Sequence, residues 1–572
     1  MNHRNYLPIF LSLSFLQGCG GSGDDPGQVN AASLQRSSTN AKKMASVNSA
    51  TNPCAPDGCD VILLTGQSNM VGWNGGSESD SSNANPDARV LQWNEATQSI
   101  ELATDAMNWT TVNPTQNSVR PAGSIGPALS FGKAYARSLL GNRKVLLVPA
   151  AAGGTGFYRG NWTPPSTGVA EGSLVTNAIN IANHAMSVAS NGTSTKLAGI
   201  LWQQGECDVN DASYGGSGPA NAYQNSLLGL IDTFRSRITG GTVVTGGQTT
   251  YVPFVVGEMS PQFVHWNNGT VPPPPLSDIQ LQTKASILRV FHALPVLRQS
   301  AAWVSSGGLQ SNASGAGDVH FEKDSQRQLG LRYADKLFEA SNGLPEAAIS
   351  LKYWNGSFVN IGPDMDLGQT LPASPTPTIV GQVIAVKDAQ RGWVAKVVRS
   401  AGSIQFTNLP PSLVNTSYSK SAWLKLDGYG YSNNLVSGTS TNQSHAFYFP
   451  NQSAGFVAAG HNSAGISRTD YVKSSSQVPA DGQTWVHLIV TYDSATHVMA
   501  LYVNGVLSAS AQNVPKATTE TATTTVQLSA YGSYANTGVN GEMIDNQLYT
   551  SALTAQQVAL IYEHELSYRA GF

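Results

Sequence analysis

Charge is scarce in this sequence. Asp, Glu, Lys and Arg make up 12% of its 572 residues, about half the share usual for a soluble globular chain. Lys and Arg number 32 against 35 Asp and Glu, the formal net charge is -3, and no long basic run occurs, so the electrostatic footprint of a nucleic-acid binder is missing. The expected substrate is neutral or weakly charged. Long apolar runs are lacking too: the run from Leu7 to Leu16 holds ten residues, where about twenty are needed to cross a bilayer. Cysteine is confined to Cys19, Cys54, Cys59 and Cys207, too few for a disulfide scaffold. Neither an EF-hand-like loop nor a zinc-hydrolase signature is found, so no metal and no cofactor is expected, and Glu563-His564-Glu565 reads as a solvated helix face. What abounds is glycine and proline, 57 and 29 residues within a 41% apolar composition, the balance of a turn-rich, sheet-containing chain. The length allows up to about four domains, so at least two cores are expected.

The N-terminus carries addressing information. Arg4 precedes the apolar run, and Leu16-Gln17-Gly18-Cys19 follows it where a signal peptidase would cut. This stretch resembles a bacterial lipobox, which implies a signal peptide over 1–18, a lipid on Cys19, and a mature chain anchored to a membrane of the bacterial cell envelope, periplasmic or at the cell surface. Gly20-Gly21-Ser22-Gly23 and the Ser-, Asn- and Thr-rich residues beyond it, to 57, read as a flexible linker. Cys54 and Cys59 flank the turn-forming Ala55-Pro56-Asp57-Gly58 and are expected to close a small disulfide loop at the entrance to the first strand. Cys207 follows a different strand and is expected to lie too far away to pair, leaving one free thiol.

From 58 to 342 short apolar runs alternate with amphipathic helices. Strands are expected at Val61 to Thr65, Val145 to Pro149, Leu197 to Trp202 and Val252 to Gly257. Helices are expected from Pro127, over Leu174 to Ala185, over Tyr223 to Phe234, and around Ala334 and Leu337. Strands apolar throughout and separated by helices predict a parallel sheet covered on both faces, an α/β domain of three layers. A connector over 343–377, Pro-rich at Leu371-Pro372-Ala373-Ser374-Pro375-Thr376-Pro377, leads to a different texture over 378–572. There strands such as Trp485 to Tyr492 and Met499 to Val503, the second running into an Asn504-Gly505 turn, predict an antiparallel β-sandwich.

In an α/β sheet ligands collect outside the carboxyl ends of the strands. The first such end is Gly66-Gln67-Ser68-Asn69-Met70, where a serine on a strand-to-helix turn is exposed beside a helix N-terminus. A lone serine there is ordinarily a helix cap, so company decides. Asp318-Val319-His320-Phe321 sets a carboxylate two residues from an imidazole before the last helix of the domain. Trp202-Gln203-Gln204-Gly205-Glu206-Cys207-Asp208 clusters polar groups after a buried strand, and Gly123-Ser124-Ile125-Gly126-Pro127 could present a free N–H at Gly126.

With these four blocks in this order, the region from Asp60 to Ala340 resembles the SGNH/GDSL hydrolases, in the carbohydrate esterase branch of sialate O-acetylesterases and acetylxylan esterases. Gly66-Gln67-Ser68-Asn69-Met70, Gly126-Pro127, Gln204-Gly205-Glu206 and Asp318-Val319-His320 match the branch's blocks, and Ala152-Gly153-Gly154-Thr155 with Trp162 is similar to it too. The resemblance implies a flavodoxin-like three-layer fold, Ser68 as nucleophile, His320 as general base and Asp318 as its orienting acid, with Glu206 as the alternative acid. It implies oxyanion donors at the Ser68 and Gly126 amides and the Gln204 side chain, and substrate contacts at Gln67, Asn69, Gly154 and Thr155. The C-terminal region resembles the laminin-G-like, concanavalin-A-like jelly rolls through Trp485 to Asp493, Leu501-Tyr502-Val503-Asn504-Gly505 and Gly541-Glu542-Met543-Ile544-Asp545. These are core and turn residues, which indicate a fold and assign no ligand. Two functions are weighed: an O-acetylesterase acting on O-acetylated carbohydrate, and a surface glycan-binding lipoprotein without catalysis. The joint presence of Ser68, Asp318 and His320 favours the enzyme.

Overall fold

The structure is a computed structural model. It describes residues 52–72, 85–105, 107, 125–165, 170–212, 220–265, 273–312, 319–354, 357–362, 376–409, 416–429, 433–438, 445–450, 455–463, 466, 470–517, 524–530 and 537–569.

The first domain is built on β1 (Cys59–Gly66), β2 (Val90–Asn94), β3 (Ser99–Leu102), β4 (Lys144–Pro149), β5 (Lys196–Gln203), β8 (Phe254–Gly257) and β9 (Ala301–Val304), in the order β3-β2-β4-β1-β5-β8-β9. Every pairing is parallel except that of edge strand β3 with β2. Between β5 and β8 an exposed hairpin, β6 (Thr242–Thr245) with β7 (Gln248–Tyr251), stands apart from the sheet.

The apolar runs are continuous because both faces of the sheet are covered. On β1, Val61 and Leu63 face one core with Ile200 and Trp202 of β5. Helices α3 (Ser173–Ala189), α5 (Ala220–Arg237) and α6 (Asp278–Leu297) close this core through residues such as Val175, Leu227 and Phe291. Ile62 and Leu64 face the other core, closed by Leu129 and Phe131 of α2 (Ala128–Arg137) and by Leu329, Tyr333 and Leu337 of α7 (Lys323–Asn342). The expected parallel sheet between two helical layers is therefore present. β2, β3, α6 and β9 complete it without having been foreseen: β3 is half-exposed with weak alternation, and β9 has only four residues, Ala301–Val304. The order reverses at β1, which lies between β4 and β5, and this is the place in an open α/β sheet where a crevice forms.

The second domain is the antiparallel sandwich the alternation predicts. Its main sheet runs through Thr524–Leu528, Gly392–Leu409, Gly541–Tyr549, Tyr418–Leu426, Val486–Asp493 and Val498–Val503 in spatial order, and a smaller sheet contains His445–Phe449 and Ala458–His461. Phe406, Trp423, Phe447, Leu488 and Leu501 meet in the core between them. At the Asn504-Gly505 turn both residues have positive φ, 49° and 77°, the geometry that selects this dipeptide for a tight hairpin.

Two features differ from expectation. Ile349–Trp354 and Ser357–Asn360 form a hairpin whose first strand pairs with Gly541–Tyr549, so the sandwich begins near 349 rather than 378. The cause is register: Ile349 and Leu351 are buried against a strand nearly two hundred residues away, a pairing that local pattern does not encode. Of the Pro-rich stretch, residues 371–375 lie outside the described residues. The second difference concerns Glu563-His564-Glu565 on α8 (Ala555–Arg569), which is not a solvated face. Glu563 is exposed, but His564 stacks on Phe338 of α7 with ring centroids 3.9 Å apart, and Glu565 is buried and accepts a hydrogen bond from Trp423 Nε1 at 2.7 Å. The helix is wedged between the sandwich and the first domain, so opposite faces of it are covered.

Cys54 and Cys59 form the expected disulfide, their Cα atoms 5.2 Å apart. The expected free thiol is not found. Cys207 is itself disulfide-bonded, and among the described residues no cysteine is free. Among the described residues no helix is long and apolar enough to cross a membrane. The proposed lipid-bearing Cys19 lies outside them.

Candidate active site

β1 ends at Gly66, whose φ of +114° and tight backing explain the residue: a Cβ there would lie 2.2 Å from the Gln203 carbonyl oxygen. The chain turns, the Gln67 amide bonds that same carbonyl at 2.8 Å, and the short helix α1 (Ser68–Val71) begins with the candidate nucleophile. It stops at Gly72 in the left-handed region, φ +92°, where a Cβ would come within 2.4 Å of the Gly126 nitrogen. The two expected oxyanion amides, Ser68 and Gly126, are thus brought to the start and the end of one short turn. Gly123 and Ser124 of the same block lie outside the described residues.

His320 arrives from the far end of the domain. Its backbone carbonyl accepts from the Asn312 amide at 2.7 Å, and the neighbouring Phe321 bridges to Ser311, so the segment is pinned before α7 starts. The imidazole Nε2 lies 2.8 Å from Ser68 Oγ across 252 residues of sequence. Both side chains are almost wholly buried, Ser68 with 6% and His320 with 6% of their surface accessible. Burial pulls the His320 pKa down from 6.5 to about 4, because the low-dielectric surroundings penalise the charged ring. The imidazole is neutral at pH 7 and able to accept the serine proton. Asp318, the expected orienting acid, lies outside the described residues.

Several expected site residues take different parts. Glu206, at the start of α4 (Glu206–Asp211), makes its hydrogen bond to Asn69 rather than to His320, with Oε1 accepting from Asn69 Nδ2 at 2.6 Å. It is fully buried, and desolvation pushes its carboxyl up to about 7. Asn69, expected to touch substrate, is equally buried. Its Nδ2 also donates to the Val319 carbonyl at 2.9 Å, and its Oδ1 accepts from the Phe321 amide at 3.2 Å. The side chain next to the nucleophile therefore holds both peptide groups flanking His320.

Gln204, expected as an oxyanion donor, spends its amide nitrogen on Asp208 Oδ2 at 2.5 Å, with longer contacts to the Thr155 carbonyl and Gln67 Oε1, while Tyr223 donates to its Oε1 at 2.9 Å. It acts as a strut. The Thr155 hydroxyl is likewise committed, donating to the Ala152 carbonyl at 2.7 Å and accepting from Trp162 Nε1 at 2.9 Å, in a buried position. Gly154 offers its carbonyl to Arg159. Gln67 is buried, with Oε1 facing Gln204 and the Cys207 amide, and its Nε2 has no partner among the described residues. Apart from Gln67 Nε2, the polar groups of these residues tie neighbouring loops together.

The sequence reading assigned no role to Asp208 or Asp211. Asp208, half-buried and pushed up to about 6 mainly by desolvation, accepts from the Phe157 and Tyr158 amides at 3.1 and 2.8 Å and so holds the loop after β4 against α4. Arg159 forks onto Asp211 at 2.6 and 2.9 Å and fixes the same loop. Asp208 sits two residues after Glu206 inside the block already singled out, and this second carboxylate was the available signal. Among the described residues no group of three or more His, Cys, Asp or Glu is arranged to hold a metal ion.

A buried serine hydroxyl in contact with a neutral imidazole, at the carboxyl edge of a parallel sheet, defines a candidate hydrolase site of the acyl-transfer class. Residues 58–339 match the family of carbohydrate esterases described as sialic acid-specific acetylesterase, and residues 399–559 match the concanavalin A-like lectin/glucanases superfamily. The chain thus joins a region similar to that carbohydrate esterase family to a region similar to the lectin superfamily. No curated protein matches the chain in sequence. Among solved structures, the chain is similar to NanS, 14% identical with a TM-score of 0.36 over 50% of this chain and 99% of that one. A protein from Arabidopsis thaliana is 20% identical with a TM-score of 0.35 over 50% and 99%. Domain 4 of AbnA, a GH43 extracellular arabinanase from Geobacillus stearothermophilus solved in complex with arabinotriose, is 20% identical with a TM-score of 0.27 over 32% and 86%.

Proposed function

We propose that the chain is a carbohydrate O-acetylesterase of SGNH type, with a flavodoxin-like catalytic domain, that removes acetyl groups from O-acetylated sugars or polysaccharide through an acetyl-enzyme. The observation that carries this reading is the 2.8 Å contact between Ser68 Oγ and His320 Nε2; the match of residues 58–339 to the esterase family supports the substrate class. In this mechanism Ser68 Oγ attacks the acetyl carbonyl carbon while His320 Nε2 takes its proton, and the oxyanion is held by the Ser68 and Gly126 amides. Collapse breaks the ester C–O bond, and the imidazolium returns the proton to the departing sugar oxygen. Water then attacks the acetyl-enzyme with His320 again as base, releasing acetate and restoring the serine. Asp318 is the acid assigned to the second ring nitrogen. The proposed setting is the bacterial cell envelope, with the sandwich beside the polymer.

The test is acetate release from O-acetylated sialic acids, xylans and exopolysaccharides by the purified protein, set beside Ser68→Ala. Release by the native protein and none above background by the variant is the expected outcome. Equal release by both would remove Ser68 from the chemistry.

A further inference from the structure

We infer that Glu206 and Asn69 form a positioning relay for the general base: Glu206 orients the Asn69 amide, and Asn69 sets the register of the His320 peptide against Ser68. This rests on the reading of Ser68 and His320 as nucleophile and base.

An asparagine amide looks the same to steric forces in either orientation, so hydrogen-bond partners must choose which end faces where. The Glu206 carboxyl oxygen, 2.6 Å from Asn69 Nδ2, requires the nitrogen on its side. That choice aims Oδ1 at the Phe321 N–H, 3.2 Å away, while the second N–H of Nδ2 reaches the Val319 carbonyl at 2.9 Å. Turned over, Nδ2 would face the Phe321 donor, and Oδ1 would face the Glu206 oxygen and the Val319 carbonyl. Both peptide anchors around His320 would then be lost together. Ser68 and Asn69 are adjacent in the chain, so the one side chain that grips the imidazole's backbone is fixed to the nucleophile's own turn.

Glu206 Oε2 has no partner among the described residues. A group orienting the imidazole would direct an oxygen at the ring, whereas the Glu206 contact that exists goes to Asn69. Gln326 Nε2, 3.4 Å from Asn69 Oδ1, fills the remaining lone-pair direction from α7.

The relay predicts a pattern that neither a catalytic acid nor a plain packing role produces. Glu206→Gln keeps an acceptor oxygen for Asn69 and should retain kcat within about tenfold of the native value, whereas loss of an orienting acid costs on the order of 10³ to 10⁴. Glu206→Leu and Asn69→Ala should each lower kcat about 10- to 100-fold with KM little changed, as expected when a base is misplaced but binding is not. Rates are taken per active site, counted by labelling Ser68 with a fluorophosphonate, so that loss of folded protein does not enter. The double variant Asn69→Ala/Glu206→Leu should be no slower than Asn69→Ala alone, because Glu206 acts through Asn69. Losses that multiply, an undiminished per-site kcat in Asn69→Ala, or a Glu206→Gln variant as damaged as Glu206→Leu would each overturn the relay. Ser68→Ala run in parallel separates the two questions. If it retains acetate release the active-site reading has failed, whereas failure of the relay leaves Ser68→Ala inactive and the Asn69 and Glu206 pattern changed.

Discussion

The pH dependence of turnover gives the sharpest test of what orients His320. In its described surroundings burial alone acts on the ring and lowers its pKa from 6.5 to about 4, a penalty of roughly 3 kcal/mol against the imidazolium at about 1.4 kcal/mol per unit. That penalty bears directly on the reaction, because the transition state for attack by Ser68 creates the imidazolium in this buried position. A carboxylate facing the second ring nitrogen would offset it and raise the pKa back toward 6 to 7. Since His320 must be neutral to accept the serine proton, the acid limb of kcat/KM marks its pKa in the free enzyme, and activity rises with pH through that value. With Asp318 as the acid, the native limb lies near 6 to 7. In Asp318→Asn it moves down toward 4, with kcat lower by on the order of 10³ to 10⁴. The assay is the initial rate on a chromogenic acetate ester from pH 3.5 to 9 at constant ionic strength, corrected for the uncatalysed rate. A native limb already at 4, or a limb that does not move in Asp318→Asn, would refute Asp318 as the acid. A limb that moves instead in Glu206→Gln would return that role to Glu206 and remove the relay with it.

Cutting the chain bears on the sandwich. Its first hairpin, Ile349–Trp354 with Ser357–Asn360, belongs to the second domain, so a stop after Gly343 should give a better-behaved esterase domain than a stop at Pro372. The shorter product should keep small-ester activity within a few-fold and lose activity on polymeric substrate, since tethering raises effective concentration only for a multivalent ligand. Loss of small-ester turnover would show instead that the Phe338–His564 face supports the active site. Replacing Cys54 with Ser opens a loop with a sequence separation of 5 and should cost about 2 kcal/mol by loop-closure entropy, read by denaturant unfolding under non-reducing conditions. An unchanged midpoint would deny the disulfide a stabilising role.

The fold was legible wherever its signal was local. Apolar runs such as Val61 to Leu64 have no polar alternation because β1 is covered on both sides, by Leu227 and its neighbours on one face and by Phe131 and Leu337 on the other, and that alone separates a central parallel strand from a half-buried one. The serine turn and the histidine segment could be assigned to one site through the family resemblance their blocks carry, and the fold sets Ser68 Oγ 2.8 Å from His320 Nε2. The Asn504-Gly505 hairpin followed from the backbone angles that only a few dipeptides accept.

What the chain order could not convey is which polar side chain faces which. Gln67, Asn69, Gln204, Thr155 and Glu206 have the same composition whether they contact a substrate or one another. The separation of 137 residues between Asn69 and Glu206 is closed only when β1 and β5 pair in register and bring Gly66 beside Gln203. The same holds for the hairpin at Ile349 and for Glu565, whose partners sit on strands and helices distant in sequence. A residue's type and its neighbours along the chain fix its local conformation and its capacity to donate, accept or ionise. Which of those capacities is spent inside the protein, and which is left for a ligand, is decided only by tertiary packing, because a buried donor or acceptor must find whatever partner the fold places within about 3 Å of it.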